Sequence, residues 1–504
     1  MADNVLLRVE EMYRADDAAV AAGVASLDLM EAAGTAIVGE IRKRWQPRPV
    51  VILAGPGNNG GDGFVVARLL ADDGWPVRVA LLGEGENLKG DTADNAERWQ
   101  GGIEALGPGI LDDGPLAVDA LFGAGLTRPL EGTALEIVQA LNERKLDCVA
   151  IDIPSGVDGD SGEILAAAPR AVVTVTFFRP KPGHFLMPGR ELTGGLVVAD
   201  IGIPDGVLKD IKPATYVNGP DLWLQEFPWP DADGHKYSRG HAVVCGGPEM
   251  TGAARLAALG ARRLGAGLVT IATPPEAFAV YAAEEPGTLI KPVEDVAAFR
   301  DLLDDPRKNA VLVGPGAGLT KATAEKVLAA LAAGKAVVID ADGLSIFADA
   351  SETLIEAITG PCLLTPHEGE FKRLFSVDGD KPSRARAAAK LTGAVVLLNN
   401  LHLPINAEVG QWLRARLHPQ GGFVAVSTSG GARWDRGSLQ GDGGNWSAAL
   451  CAEDTHTFSP VLTASGHMHT FGSARGSGAT VGSYSSWNSS SVSFIDRVKG
   501  APPI

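Results

Sequence analysis

Val50-Val-Ile-Leu-Ala54 runs into Gly55-Pro-Gly-Asn-Asn-Gly-Gly-Asp-Gly63, and that into Phe64-Val-Val-Ala-Arg-Leu-Leu70. An aliphatic run, a glycine-dense stretch and a second apolar run predict a strand, a turn and a helix in that order. Glycine lets a backbone approach an anion or sugar closely, and the first turn of a helix leaves amide donors open to such a ligand. Asn58, Asn59 and Asp62 add oxygens and amides at the same corner, enough for a cation or a ribose. A tight turn without a ligand is the plainer alternative, against which the clustered Asn-Asn and Asp weigh.

Outward from this point, helices are expected over Val9–Ala22, Leu27–Arg44 and Ala134–Arg144. Strands are expected at Val77–Leu82, Leu116–Phe122, Cys148–Ile153 and Ala171–Phe177. Such alternation predicts an α/β domain with a mostly parallel sheet, helices on both faces and right-handed crossovers. The stretch Asp221–Arg239, with Phe227-Pro-Trp-Pro-Asp-Ala-Asp-Gly234 inside it, breaks the pattern and marks a boundary. A second α/β series follows: strands at His241–Cys245, Leu268–Ala272, Val311–Val313 and Ala336–Asp340, and helices at Gly252–Leu264 and Ala322–Ala333. The expected division is 1–220, 221–398 and 399–504.

The third segment differs in composition. From Leu391 to Ile504 there are 7 Lys or Arg against 6 Asp or Glu, whereas the whole chain carries −17. Between Gly421 and Ser490 there are 13 Gly and 13 Ser. Such a stretch buries little apolar surface to offset chain entropy, so disorder is expected there. His456, His467 and His469 lack neighbouring acidic residues and read as solvated histidines, not a zinc site.

With 504 residues and 45% hydrophobic content there is material for more than one core. The net charge of −17 disfavours nucleic acid and acidic membranes as partners, leaving small ligands open. Cys148, Cys245, Cys362 and Cys451 form no CxxC pair, as in a reducing compartment. The N-terminus lacks a basic end followed by a long apolar core, and no 18-residue uncharged apolar run occurs elsewhere, so a cytoplasmic soluble protein is expected. Homo-oligomerisation stays open.

Two further clusters, Val118-Asp-Ala-Leu-Phe-Gly-Ala-Gly-Leu-Thr-Arg-Pro129 and Ala150-Ile-Asp-Ile-Pro-Ser-Gly-Val157, sit at the C-terminal ends of expected strands. Open α/β sheets gather ligands at such ends. Asn59, Asp119, Asp152 and Ser155 are oxygen donors that suit a hard cation better than zinc. Asp119 and Asp152 could each instead cap a loop. Either could also hold ribose hydroxyls or transfer a proton. Lys181, in Phe178-Arg-Pro-Lys-Pro-Gly-His184, is read as a phosphate contact or a surface charge.

Together with Met30-Glu-Ala-Ala-Gly34, these elements resemble the NAD(P)H-hydrate epimerase family over about residues 9–215. The resemblance implies a Rossmann-like three-layer fold. It also implies interconversion of the R and S forms of NADHX and NADPHX, the cofactors hydrated at nicotinamide C6, with a potassium ion. By the same resemblance, Asn58, Asn59, Gly60, Gly61 and Asp62 bind substrate with Gly123, Ala124, Gly125, Leu126, Thr127, Arg128 and Pro129. Asp152 contacts it too, while Asn59, Asp119 and Ser155 hold potassium. Asp119 or Asp152 would stabilise or shuttle charge at the hydrated ring.

The second half presents Gly314-Pro-Gly316, Asp340-Ala-Asp342 and Thr365-Pro-His-Glu-Gly-Glu370, and no Gly-x-x-x-x-Gly-Lys-Ser/Thr loop. Over about 236–398 it is similar to the ADP- or ATP-dependent NAD(P)H-hydrate dehydratases, which implies a ribokinase-like α/β fold, ADP and magnesium as cofactors, and contact of Ala253, Gly316 and His367 with the S-hydrate. The family's later Lys-Gly element and Gly-Ser-Gly-Asp loop are not matched after Val395-Val-Leu-Leu398. Gly476-Ser-Gly-Ala-Thr480 puts Ala479 where the catalytic carboxylate is expected, and alanine accepts no proton. The expectation is an active epimerase joined to a dehydratase-like domain, incomplete at its end, with absent or reduced turnover. A shifted reading frame near residue 399 would produce this ending. A small-molecule kinase of the ribokinase-like class and a non-catalytic nucleotide-binding scaffold are the alternatives.

Overall fold

Alternation within each strand decides which layer a residue enters. All five residues of the strand Val50–Ala54 are buried, and a period of two sends them to opposite faces. Val50, Ile52 and Ala54 pack with Met12, Ile37, Phe64 and Leu70 from the helices Val9–Ala21, Ser26–Arg44 and Asn58–Asp72. Val51 and Leu53 join Ile137, Val138 and Leu141 of the helix Gly132–Arg144. The first unit is therefore three-layered.

Its sheet has seven parallel strands in the order 103–105, 77–81, 50–54, 116–120, 148–151, 173–177 and 195–199. From Val50–Ala54 the chain works toward one edge, then returns to the other side with Leu116–Ala120. The loops after these two strands part at that switch point, where an open sheet leaves a crevice.

The computed structural model describes residues 4–398 except 226, 228, 230–232 and 284–285, and beyond 398 only six short strands between 424 and 471. The expectations for Cys451, His456, His467, His469 and Gly476–Thr480 lie outside the described side chains. The chain divides into two units, Met1–Leu222 and Trp223–Ile504. In the second, the strands 289–292, 268–273, 241–245, 310–313, 336–339, 362–364 and 395–397 run parallel in that order, with the short strand Val424–Ala425 beside the last. Val243, Val311 and Val337 face Phe299, Val327 and Phe371. Val244, Leu312 and Val338 face Ala254, Ala258 and Tyr281. The switch point here falls between His241–Cys245 and Ala310–Val313. Among the described residues no helix is long and apolar enough to cross a membrane.

Two expectations change. The glycine run, expected as a turn as far as Gly63, is helical from Asn58. A Cβ on Gly60 would stand 1.9 Å from the Gly55 carbonyl oxygen, and one on Gly61 2.7 Å from Met30 Sδ. Close packing of the helix start thus demands glycine in its own right. Five strands of the two parallel sheets before residue 398 carry no expectation: Ile103–Ala105 is exposed throughout, Gly195–Ala199 is partly and Leu289–Pro292 largely exposed, and Cys362–Leu364 and Val395–Leu397 are only three residues long. None offers the alternation from which a strand is read.

Candidate functional site

Asp152 follows the strand Cys148–Ile151 with φ of 64°, a left-handed conformation uncommon for a non-glycine residue. Its Oδ1 accepts from Lys181 Nζ at 2.5 Å and Thr176 Oγ1 at 2.9 Å, and its Oδ2 from the Ala124 N–H at 3.0 Å. Burial alone would raise this carboxyl. The Lys181 ammonium and the donated hydrogen bonds outweigh burial and hold it at about 2. Lys181 is 2% exposed, which overturns its reading as a surface charge, and its ammonium is engaged with Asp152 and Thr176. The Lys181 N–H donates to His184 Nδ1 at 2.9 Å, so the ring proton lies on Nε2, 2.8 Å from the Asp152 carbonyl. Burial and the adjacent Lys181 charge lower His184 to about 4.

Asp119, at 0% exposure, ends the strand Leu116–Ala120. Its Oδ2 accepts the Ser155 N–H at 2.7 Å, and its Oδ1 the Ser155 hydroxyl at 2.6 Å and the Leu121 N–H at 3.3 Å. Burial raises it to about 6 against those bonds. Ser155 Oγ also accepts the Phe122 N–H at 2.9 Å and lies 3.0 Å from the Phe122 carbonyl oxygen. A carboxylate, a hydroxyl and a backbone carbonyl thus converge. The buried Asn59 Nδ2 has no hydrogen-bond partner, and turning that amide over would add another oxygen. Hard neutral oxygens around one carboxylate fit a monovalent cation. Among the described residues no cluster of His, Cys, Asp and Glu suits another metal.

Asn59 and Asp152 meet across Gly123, where a Cβ would stand 3.2 Å from Asp152 Oδ2 and 3.4 Å from Asn59 Oδ1. Asp62 is buried beneath the helix start, and burial with the Asp152 and Asp16 charges raises it well above the usual carboxylate range. The other expected residues of these loops are more accessible: Asn58, Gly125, Thr127, Arg128 and Pro129 are exposed and Leu126 is half-buried. Residues the sequence did not single out for the site are Thr176 and His184, together with Tyr13 and Asp16 from the helix Val9–Ala21. The signal for the first two was their spacing around Lys181 at a strand end; Tyr13 and Asp16, polar positions on a helix face, carry none.

In the second unit, a Cβ on Gly247 would stand 1.7 Å from the Gly316 carbonyl oxygen, and one on Gly316, at φ 69°, 2.3 Å from that of Met250. The loops after His241–Cys245 and Ala310–Val313 therefore touch backbone to backbone. Tyr281 Oη donates to the Gly247 carbonyl at 2.9 Å and braces that loop, while Ala253 lies in the first turn of the helix Thr251–Arg263. The next two strand ends are tied in by Asp342, which accepts the Gly318 N–H at 2.8 Å, and by Thr365 Oγ1, which donates to Asp340 at 2.8 Å. Ala341 holds φ of 45° between the two aspartates. Burial pushes Asp340 to about 7 despite the Thr365 hydrogen bond. His367 caps the helix Glu368–Leu374, its Nδ1 accepting the Gly369 and Glu370 N–H at 2.9 and 3.3 Å.

Two parallel sheets, each with glycine loops meeting at its switch point, define a tandem α/β enzyme. The profile described as YjeF-related protein N-terminus matches residues 26–183, and that described as NAD(P)H-hydrate dehydratase matches 241–412. The second match runs past Leu398, where the motif resemblance ends. The chain is 35% identical over 431 residues to the bifunctional NAD(P)H-hydrate repair enzyme Nnr of Thermofilum pendens, covering 80% of this chain and 81% of that one. It is also 35% identical over 418 residues to that of Moorella thermoacetica, covering 77% and 79%. The chain belongs to the bifunctional NAD(P)H-hydrate repair enzyme family, which joins an epimerase to a dehydratase. Among solved structures, an ADP/ATP-dependent NAD(P)H-hydrate dehydratase from Bacillus subtilis, co-crystallised with ATP and Mg2+, is 27% identical, covering 35% of this chain and 66% of that one at a TM-score of 0.29.

Proposed function

We propose that the first unit interconverts the R and S forms of NADHX and NADPHX, and that the second is a dehydratase whose turnover is impaired in this chain. The observation that supports the epimerase reading is the meeting of Asn59, Asp152 and Lys181 at the strand ends beside an uncapped helix start. Epimerisation loses and restores the C6 configuration without net oxidation, so the site must take up and return a proton. Asp152, ionised at neutral pH, is the group for that task. Asp119 stabilises charge from behind the loop.

The helix start Asn58–Asp62 and the backbone of Gly123–Pro129 hold the dinucleotide; the Gly60 and Gly61 N–H groups already donate to the Gly57 carbonyl, so the Asn58 and Asn59 amides are the ones that favour its phosphates. Asn59, Asp119 and Ser155 would hold potassium, which when bound supplies the positive charge that keeps Asp119 ionised. In the second unit Ala253, Gly316 and His367 border the S-hydrate, with ADP and magnesium as its cofactors. The reduced turnover is argued from Ala479 and from the unmatched Lys-Gly element. The domains are taken as 1–220, 221–398 and 399–504, acting in the cytoplasm.

The test is to incubate the purified chain with separated R- and S-hydrates in potassium buffer. They should equilibrate, and failure to do so removes the epimerase reading. Addition of ADP should yield little NADH; vigorous ADP-dependent conversion would show that another carboxylate replaces the missing one.

A further inference from the structure

We propose that Asp16, on the helix Val9–Ala21, is a catalytic acid of the first unit, working opposite Asp152; the inference rests on the epimerase reading above. This helix lies outside the residues matched by the family profile, which begin at 26. It is nonetheless fastened to the loops that build the site. The Val9 N–H donates to Asp160 Oδ1 at 2.9 Å and Arg8 Nε to Asp160 Oδ2 at 3.1 Å. The Leu7 N–H donates to the Pro180 carbonyl at 3.0 Å, next to Lys181.

Met12, Ala15 and Ala19 bury one stripe of the helix, and Tyr13 and Asp16 lie on a common adjoining face, three residues apart. That face looks toward the candidate crevice, because a Cβ on Gly125 would stand 1.9 Å from Tyr13 Oη. Asp16 is half-buried there, within electrostatic reach of Lys181, Asp152, Asp62 and its neighbour Asp17. Burial raises Asp16 to about 6 against the pull of Lys181, with Asp152 and Asp17 adding to the rise, whereas Asp152 stays at about 2. Two carboxyls pushed apart in this way divide into a proton carrier and a proton acceptor.

The hydrate is a hemiaminal, with a hydroxyl and the ring nitrogen N1 both on C6. Asp152 takes the hydroxyl proton, C6=O forms, and the C6–N1 bond breaks with its electron pair going to N1, which takes the Asp16 proton. Rotation about C5–C6 presents the other face of the aldehyde. N1 then adds to C6 as its proton returns to Asp16, and the oxygen recovers its proton from Asp152. Atoms and electrons balance, and no oxidant is needed.

The test uses the full chain and measures epimerisation from pure R-hydrate across pH. Asp16→Asn should lower kcat about 100-fold with little change in KM, and should lack the fall in turnover that the wild type shows as pH rises through about 6. Asp17→Asn, an exposed neighbour with the same change of charge, should keep wild-type turnover. Asp16→Glu retains the acid and should shift the midpoint of that limb. Wild-type kcat and pH profile in Asp16→Asn, an equal loss in Asp17→Asn, or an unmoved limb in Asp16→Glu would each overturn the proposal. A wild type that leaves the hydrates unequilibrated removes the functional reading itself, and this inference with it.

Discussion

Asp119 and Asp152 hold each other's loops. Asp119, at the end of one strand, accepts the backbone N–H of Ser155 from the loop that follows the other; Asp152, at the end of that other strand, accepts the N–H of Ala124 from the loop that follows the first. Each carboxylate thereby fixes the backbone that borders its partner. A change at either should be felt at both.

The Asp152–Lys181 pair is the sharpest place to test this. Its side chains are 15% and 3% exposed, and a buried pair that loses one partner leaves an uncompensated charge. Lys181→Met should therefore destabilise the first unit by about 3 kcal/mol and abolish epimerisation. Urea unfolding followed by a probe in that unit measures the first effect. A loss below about 1 kcal/mol, the range of exposed pairs, would show that the pair is solvated.

Ser155 supplies both the hydroxyl on Asp119 and an oxygen of the proposed potassium site. Ser155→Ala should cost about 1–2 kcal/mol through the lost hydrogen bond. It should also reduce the rise in melting temperature when potassium replaces tetramethylammonium in the buffer. Equal potassium-dependent shifts in wild type and variant would remove Ser155 from the cation site.

His184 makes stability depend on pH with a definite sign. Its folded value of about 4 lies below the ordinary value near 6.5, so the folded state favours the neutral ring. That stabilisation is fully present above about 6.5 and is lost as pH falls through 4, amounting to about 3 kcal/mol at most. Denaturant midpoints of the first unit should fall between pH 6.5 and 4 in the wild type. His184→Gln, which cannot charge, should show a shallower fall, and parallel curves would place the dependence on other groups.

The strands that carry the crevices were legible because they are buried on both faces and end in polar loops. Val50–Ala54 and His241–Cys245 fall on the expected residues. Asn59, Asp119, Asp152 and Ser155 were legible as a group because oxygen-bearing side chains at several strand ends must converge if the strands lie side by side. For Lys181 only the surface-charge alternative fails, because nothing in Phe178-Arg-Pro-Lys-Pro-Gly183 tells whether the chain turns its lysine outward or back under the sheet end. Asp16 could not be found by pattern, since a half-buried aspartate on an amphipathic helix looks like any solvated one. The two units also share a device that sequence spacing conceals: Gly55 against the Leu121 carbonyl, and Gly247 against that of Gly316, bring the two loops of each switch point to backbone contact.

That device separates glycines by what stands in front of them. A Cβ on Gly60 would lie 1.9 Å from the Gly55 carbonyl oxygen, which is backbone fixed by the Gly55 N–H donating to the Ala120 carbonyl at 2.9 Å. A Cβ on Gly125 would lie equally close, at 1.9 Å, but to Tyr13 Oη, the tip of a side chain that is 56% exposed and can swing away. Gly60→Ala should cost about 3 kcal/mol, at the upper end for overpacking, and should disorder the start of the helix Asn58–Asp72 together with the site. Gly125→Ala should cost under about 0.5 kcal/mol, as a surface change does, and should displace only Tyr13. Thermal denaturation of the two variants side by side measures the contrast, and similar losses would mean that the Gly55 carbonyl in front of Gly60 is not the rigid element described.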